Sequence, residues 1–444
     1  MGLIGRCEWR SRSVDETANC YYSRGCVTSD TSSTYSRIGQ CISGTTDSAP
    51  GVFWQTIDQA VSVRALTCPS LNQRGQRQVA KTIETGIFLP VGNHGWIHSA
   101  NSPAIEDGSF GRVLDITRRA ELRGFDFALS PAIWRGRKGP TNHWMHALES
   151  ITTSAALLQA TERIKVFATT HMVVYPPATI AKMVATLDQI GPGRVGLNLV
   201  TGASYLDMSH VGLWNDDLDH DKRYDLGDEW ISLVKQFWTD EIIDFKGEFF
   251  ETDNGHMGPK PSKMPELVNA GSSDRGFRFA AENCDIAFTL ANDEPKYLKT
   301  VRRTKDAARE LGRTDLKTYG SITLVPAETD ALAEARVKHF NDGVDSEAVF
   351  DIIAGYAQNK DAAKTGANSK FFTEGAPPQA LMDGYMSGSY DTLAERLATI
   401  VNDGDLDGIM LIVPDYTKDL DAVTDHIFPK LAEYGVLTRV TPNE

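Results

Sequence analysis

From Ile83 onward, short apolar runs alternate with amphipathic stretches eight times, and few folds accommodate such a pattern. The runs are Ile83–Val91, Phe125–Leu129, Ile164–Thr170, Arg194–Val200, Glu266–Ala270, Ile286–Leu290, Thr318–Val325 and Gly408–Val413. The fourth is typical: Val195, Leu197, Leu199 and Val200 leave no polar face, as expected of a parallel strand covered by helices on both sides. Helices are expected over Phe110–Arg123, His146–Ala160, Pro176–Ile190, Arg223–Trp238, Phe277–Glu282, Lys296–Leu311, Ala331–Phe340, Tyr390–Val401 and Leu420–Tyr434. Pro177 stands at a first helical turn, where its missing N–H is harmless. Eight strand–helix repeats predict an α/β fold of the (β/α)8 TIM-barrel type over residues 83–440.

Two segments interrupt the repeat. Residues 244–264, with Phe245-Lys246-Gly247-Glu248-Phe249-Phe250, read as an inserted hairpin. Residues 341–389 are polar and rich in Gly and Ala, and are a candidate cover over the barrel mouth.

Residues 1–82 lack either periodicity and read as a poorly ordered extension or a start-site artefact, with Gly51–Ala65 the best candidate for a short helix. Cys7, Cys20, Cys26, Cys41 and Cys68 cluster there without a zinc-binding spacing, and no disulfide framework is expected. The formal charge of −14 argues against nucleic acid or an anionic membrane as partner. No apolar run reaches the ~20 residues that span a bilayer, so a cytoplasmic protein is expected.

Barrel active sites gather at the C-terminal strand ends. There the fourth strand carries Asn198 and Thr201, the third Thr169, and the fifth is followed by Ser272 and Ser273. A buried amide such as Asn198 is either bonded to neighbouring backbone or reserved for a ligand. Gly271-Ser272-Ser273-Asp274 lies between a strand and a helix, where free N–H groups suit a phosphate and Ser273 or Asp274 can equally cap the helix. Arg223 and Tyr224 open the fourth helix, and Arg223 is a charge-assisted partner for that phosphate.

Other motifs carry less. Gly191-Pro192-Gly193-Arg194-Val195-Gly196 matches G-x-G-x-x-G, but a helix precedes it and a strand follows, the reverse of a dinucleotide site. The run Asp216–Asp221 fails the EF-hand pattern and reads as a solvated acidic loop. His143 and His146 are spaced for one helix face without a third ligand, so no metal site is assigned. His94 ends the first strand and is either a general base or packed beneath Trp96.

Taken together, Gly86-Ile-Phe-Leu-Pro-Val-Gly-Asn-His-Gly-Trp96, Gly124-Phe-Asp-Phe-Ala-Leu-Ser130, Asn198-Leu-Val-Thr-Gly202, Arg223-Tyr224 and Phe245-Lys-Gly247 resemble the bacterial-luciferase-like flavin-dependent monooxygenases, and more narrowly their pyrimidine oxygenase group. The resemblance implies FMN as cofactor, reduced by a separate NAD(P)H-dependent flavin reductase, with O2 as co-substrate and a small heteroaromatic substrate. It places Thr169 and Asn198 beside flavin N5 as the catalytic pair. Ala132 and Ile133 would line the ring, and Asp207, Arg223, Tyr224, Ser272 and Ser273 would hold the rest of the cofactor; a homo-oligomer is expected. Ala203 stands where the group has Trp, Asp207 where it has Glu, and Pro131-Ala132-Ile133-Trp134 where it has Met-Ile-Lys-Leu. Loss of a Trp removes roughly 200 Å² of contact surface. A pocket bordered by His94, Trp134 and Ala203 would then admit a substrate larger than uracil. Riboflavin cleavage to lumichrome and ribose is therefore the first expectation, ahead of pyrimidine ring opening. A deazaflavin-dependent dehydrogenase and a non-catalytic flavin-binding protein are the remaining alternatives.

Overall fold

The computed structural model describes residues 80–103, 108–202, 204–290, 293–357, 377–382 and 384–440. Among them, eight parallel strands close into a barrel: β1 Glu84–Phe88, β2 Phe127–Ser130, β3 Lys165–His171, β4 Val195–Val200, β5 Glu266–Asn269, β6 Ile286–Leu290, β7 Lys317–Ala327 and β8 Gly408–Ile412. Neighbours in sequence are neighbours in space, β6 pairs with β7, and β8 returns to β1 with Gly408 opposite Glu84. The helices include α1 Phe110–Leu122, α2 Ser150–Ala160, α3 Pro177–Ile190, the short α4 Tyr205–His210, α5 His220–Thr239, α6 Asp274–Asn283, α7 Glu294–Glu310, α8 Asp330–Asp342, α9 Ser346–Ala357 and α10 Tyr390–Gly404. A last helical run comprises Lys418–Ala422, a π-helical stretch Val423–Ile427 and Phe428–Leu431. The expected TIM barrel is the observed one. None of the described helices is long and apolar enough to cross a membrane.

The barrel interior is layered by charge and then by size. At the N-terminal end, the inward residues of the four odd strands are Glu84, Lys165, Glu266 and Lys317, and they neutralise one another. Lys165 Nζ lies 3.1 Å from Glu84 and 2.6 Å from Glu266, and Lys317 Nζ 2.7 Å from Glu84. Burial alone would raise the Glu84 carboxyl, but the two lysines outweigh it and hold the group at about 2. Its folded value is thus depressed, so its stabilisation is complete above the unfolded value of 4.5 and is lost as pH falls towards 2. We expect acid titration of wild type to lose at most on the order of 3 kcal/mol across that window through Glu84, solvent screening at the barrel rim reducing the figure. Glu84→Gln should be less stable at pH 7 and lose less on acidification; urea melts with the same pH dependence as wild type would contradict the assignment.

Above the charges, Phe127, Phe167, Phe288, Tyr319 and Met410 fill the barrel with Leu129, Val268 and Ile286. Rings this large fit because glycines face them: a Cβ on Gly86 would come within 2.2 Å of Phe127, and one on Gly196 within 2.0 Å of Phe167. Gly196 therefore serves the core. Gly191 and Gly193 link α3 to β4, Gly193 at φ 70°. That connection is the helix-then-strand order that excludes dinucleotide binding at this motif.

The inserted hairpin is an antiparallel pair, Ile243–Lys246 with Glu251–Gly255. The second insertion contributes α9 and a strand, Met386–Ser389, that pairs with the far end of β7. Helix α9 lies on the mouth loops: Asp351 pairs with Arg135 after β2, and Gly355 approaches Ser204 after β4. Residues 358–376 and 383 of this insertion lie outside the described residues. Lys81–Thr82 pairs with Val436–Leu437 beneath the barrel. The remainder of the expected extension, with its five cysteines and the helix over Gly51–Ala65, lies outside the described residues.

Candidate active site

The C-terminal ends of β3 and β4 run side by side, and Thr169 is paired in register with Asn198. Both are buried, at 4% and 9% exposure. Asn198 Nδ2 donates to Thr169 Oγ1 at 3.1 Å. Asn198 Oδ1 is buried and has no hydrogen-bond partner among the described residues. An unmade hydrogen bond at a buried oxygen costs about 1–3 kcal/mol, so this lone pair suits an N–H donor on a ligand. Behind the pair, the Thr169 N–H donates to Ser150 Oγ and Ser150 Oγ to the Ser130 carbonyl, each at 2.8 Å. Of the two outcomes open to a buried amide, Asn198 thus has one end held by a neighbour and the other end unclaimed.

Past β4 the chain turns at Gly202 with a φ of 79°, and a Cβ there would stand 2.7 Å from the Val173 side chain, so the turn has room for glycine alone. The short helix α4 follows, which periodicity does not reveal. Its signal lies in Ser204-x-x-Asp207, a variant of the capping box. Ser204 Oγ donates to Asp207 Oδ2 at 2.5 Å and caps the Asp207 N–H at 3.4 Å. The helix turns Asp207 inward onto Arg137, whose Nη2 lies 3.0 and 3.3 Å from the two carboxylate oxygens. Arg137 and Asp207 are both buried. Arg137 does not stand out in sequence, because an arginine in a loop after β2 reads as surface and its partner is 70 residues away.

Tyr224 and Ser273 meet at the start of α6. Ser273 accepts the Gly276 N–H at 3.0 Å, so it caps the helix. The buried Tyr224 hydroxyl is hydrogen-bonded to Ser273, and burial raises its pKa. A Cβ on Gly271 or Gly276 would stand 2.7 Å from that hydroxyl, so the two glycines let Tyr224 reach the helix terminus. Ser272 is half-buried just before the cap. Arg223 donates to the Leu218 carbonyl at 2.7 Å and lies 5.6 Å over the Trp214 ring. Helix α5 starts earlier than expected, at His220, because Asp219 caps it by accepting the Lys222 N–H at 2.9 Å. One member of the acidic run is thus a cap.

Ala132, Ile133 and Trp134 follow β2 half-buried. Trp134 Nε1 donates to His171 Nδ1 at 3.0 Å, which fixes the indole at the end of β3 beside Tyr175. Burial pushes His171 down to about 4, partly opposed by Asp207. Ala203 lies outside the described residues.

His94, expected either as a general base or packed beneath Trp96, lies buried in the loop after β1. Trp96 stacks on Phe88 at 4.2 Å, whereas His94 faces His143 at 5.9 Å and His143 stacks on His98 at 4.1 Å. The ring neighbour of His94 is thus a loop histidine. Nor do His143 and His146 share a helix face. Helix α2 begins at Ser150, capped by Glu149, which accepts the Ile151 and Thr152 N–H groups at 2.8 Å. His143 is buried in the loop before it, and His146 is exposed.

Similarities to known proteins bear on this site. The sequence model of the luciferase-like monooxygenases matches residues 83–407. The pyrimidine monooxygenase RutA of Caulobacter segnis is 36% identical over 351 residues, covering 78% of this chain and 98% of the relative. The fold is shared with riboflavin lyase RcaE, solved with modified FMN and riboflavin, at a TM-score of 0.69 and 19% identity over 82% of this chain and 94% of that one. EDTA monooxygenase from Chelativorans sp. BNC1 has the same fold at a TM-score of 0.67 and 20% identity, over 81% of this chain and 96% of that one.

Proposed function

This chain belongs to the luciferase-like monooxygenase family, and from that premise we propose that it is a two-component oxygenase using reduced FMN and O2 on a nitrogen heteroaromatic compound. A separate NAD(P)H-dependent flavin reductase would supply the reduced FMN. The observation that carries the reading is the buried Thr169–Asn198 pair with its unclaimed amide oxygen.

The residues fit FMN at both ends. Asn198 Oδ1 offers a buried acceptor to a ring N–H, and Ala132 and Ile133, half-buried after β2, would supply apolar contact to the ring. Tyr224, Ser272, Ser273 and the first turn of α6 would hold the phosphate at a helix N-terminus, with Arg223 as its cationic partner and Asp207 nearer the ribityl chain. When bound, reduced FMN supplies the two electrons that activate O2; the protein supplies placement and electrostatics. Thr169 and Asn198 hold each other's polar atoms in one orientation, and burial strengthens every hydrogen bond they make to the reacting centre. Helix α9 over the loops limits water entry.

For the substrate, the 36% identity to a pyrimidine monooxygenase across nearly its whole length moves a uracil-type ring ahead of riboflavin. One observation keeps riboflavin as the second reading: Trp134, tethered to His171, presents an aromatic wall on which a tricyclic ring can stack. Incubating the enzyme with FMN, NADH, a flavin reductase, O2 and either uracil or riboflavin, with products analysed by mass spectrometry, tests both. Ring-opened uracil supports the first and lumichrome the second, and Ala203→Trp should depress riboflavin turnover far more than uracil turnover. Product formed without O2 would favour a deazaflavin-type dehydrogenase. FMN binding with neither product nor extra O2 consumption would favour a flavin carrier.

A further inference from the structure

Side chains of one strand alternate between the two faces of the sheet. Along β3, Lys165 joins the ion layer at the bottom of the barrel and Phe167 the aromatic layer above it, while Val166 and Ala168 belong to the core beneath the helices. The same alternation turns Thr169 and then His171 into the barrel. His171 is the last residue of β3. There the Met172 N–H returns to the Val200 carbonyl and the Val174 N–H to the His171 carbonyl, each at 2.9 Å, and the strand ends. His171 is therefore the uppermost inward side chain of β3, about 7 Å along the strand from Thr169 on the mouth side. Its register partner, Val200, stands two residues beyond Asn198.

The His171 ring has one defined protonation state. Trp134 Nε1, which can only donate, meets His171 Nδ1 at 3.0 Å, so Nδ1 is a lone pair. An imidazolium carries a proton on both nitrogens and could not accept this bond; the ring is neutral, with its proton on Nε2. Burial favours the same state. The Nε2–H has no acceptor among the described residues. Asp207, the carboxylate whose charge reaches the ring, is bonded instead to Arg137 and Ser204. At 8% exposure His171 has little access to water, and a buried donor left unmade is costly. One rung deeper, Asn198 Oδ1 is a buried acceptor without a partner among the described residues. An unclaimed acceptor and an unclaimed neutral donor on adjacent rungs suit a ring system that carries both an N–H and a carbonyl.

We infer that His171, held as its Nε2–H tautomer by Trp134, is a specificity-determining donor that binds a carbonyl oxygen of the heteroaromatic ring seated at the Thr169–Asn198 end of the barrel. The inference rests on the proposed oxygenase reading and adds to it a second recognition group and the residue that orients it. Both the flavin ring and the proposed substrates carry such a carbonyl, and the steps of binding tell the two sources apart. A site built to hydrogen-bond one polar group of its ligand discriminates against ligands that lack it, because a buried group is then left unpaired.

Calorimetry tests it, first with oxidised FMN and then with uracil or riboflavin added to the FMN-loaded protein, where no turnover occurs. His171→Leu should weaken one of these steps by about 3–10-fold: the first if the carbonyl is the flavin's, the second if it is the substrate's. Trp134→Phe, which keeps an aromatic ring but donates no hydrogen bond, should weaken the same step. A readout that packing alone would not move is the nitrogen-15 NMR spectrum of wild type, which also serves if the variants fold poorly. The free protein should show His171 protonated on Nε2, and that proton should move downfield at the same step. A ring protonated on Nδ1, an Nε2–H resonance unmoved by FMN, uracil and riboflavin, or undiminished affinity for all three in folded His171→Leu would overturn the inference, while product from uracil or riboflavin kept the oxygenase reading intact. Absence of both binding and product for every ring in wild type would overturn the two together.

Discussion

Asn198→Ala should lower substrate oxygenation by about 10²–10³-fold, the scale seen when one preorganised hydrogen-bonding group is removed from a buried reacting centre. Stability should change little, by about 1 kcal/mol or less. The substitution removes one hydrogen bond, to Thr169 at 3.1 Å, but also removes an oxygen that is buried without a partner among the described residues. Thr169→Val, close in shape and lacking the hydroxyl, should act in the same direction, and the double variant should lose less than the product of the two single losses because the side chains work as one unit. Steady-state product formation with reductase present, together with urea melts, separates this outcome from simple unfolding. An Asn198→Ala enzyme of unchanged rate would detach the pair from the chemistry.

The second large effect concerns Arg137. Its pair with Asp207 is buried on both sides, and Ser204 also bonds the carboxylate. Arg137→Leu leaves that carboxylate without its cation and should cost about 3–5 kcal/mol of folding free energy, whereas Arg137→Leu combined with Asp207→Leu should recover much of the loss. Function should follow folding here. If Asp207 lies near the ribityl chain as proposed, the single variant should also weaken FMN binding, measured by quenching of FMN fluorescence. A single variant as stable as wild type would mean that the carboxylate finds water or another partner.

The strands are legible because burial on both faces leaves continuous apolar runs, and Ile286–Leu290 coincides with β6 to the residue. Strand β7 extends to Ala327, beyond its apolar stretch, because Met386–Ser389 pairs with its far end, a contact between distant segments that no local pattern reveals. Helix α2 begins at Ser150 rather than His146: Glu149 caps it, while the preceding residues are held in a loop by tertiary contacts. In the site, Thr169 and Asn198 are visible as polar residues where apolar strands end. The Arg137–Asp207 pair and the His98–His143 stack are not, because each joins loops from different barrel strands, and only closure of the barrel brings them together.

Control of the reaction between reduced FMN and O2 by Thr169 and Asn198 is tested most directly by supplying chemically reduced FMN without any reductase, under O2 or under argon. Product from uracil or riboflavin is then quantified for wild type and Asn198→Ala. Wild type should form product only when both reduced FMN and O2 are present, and the yield from Asn198→Ala should be lower by about two orders of magnitude. Equal product under argon, or equal yields from the two proteins, would contradict that control.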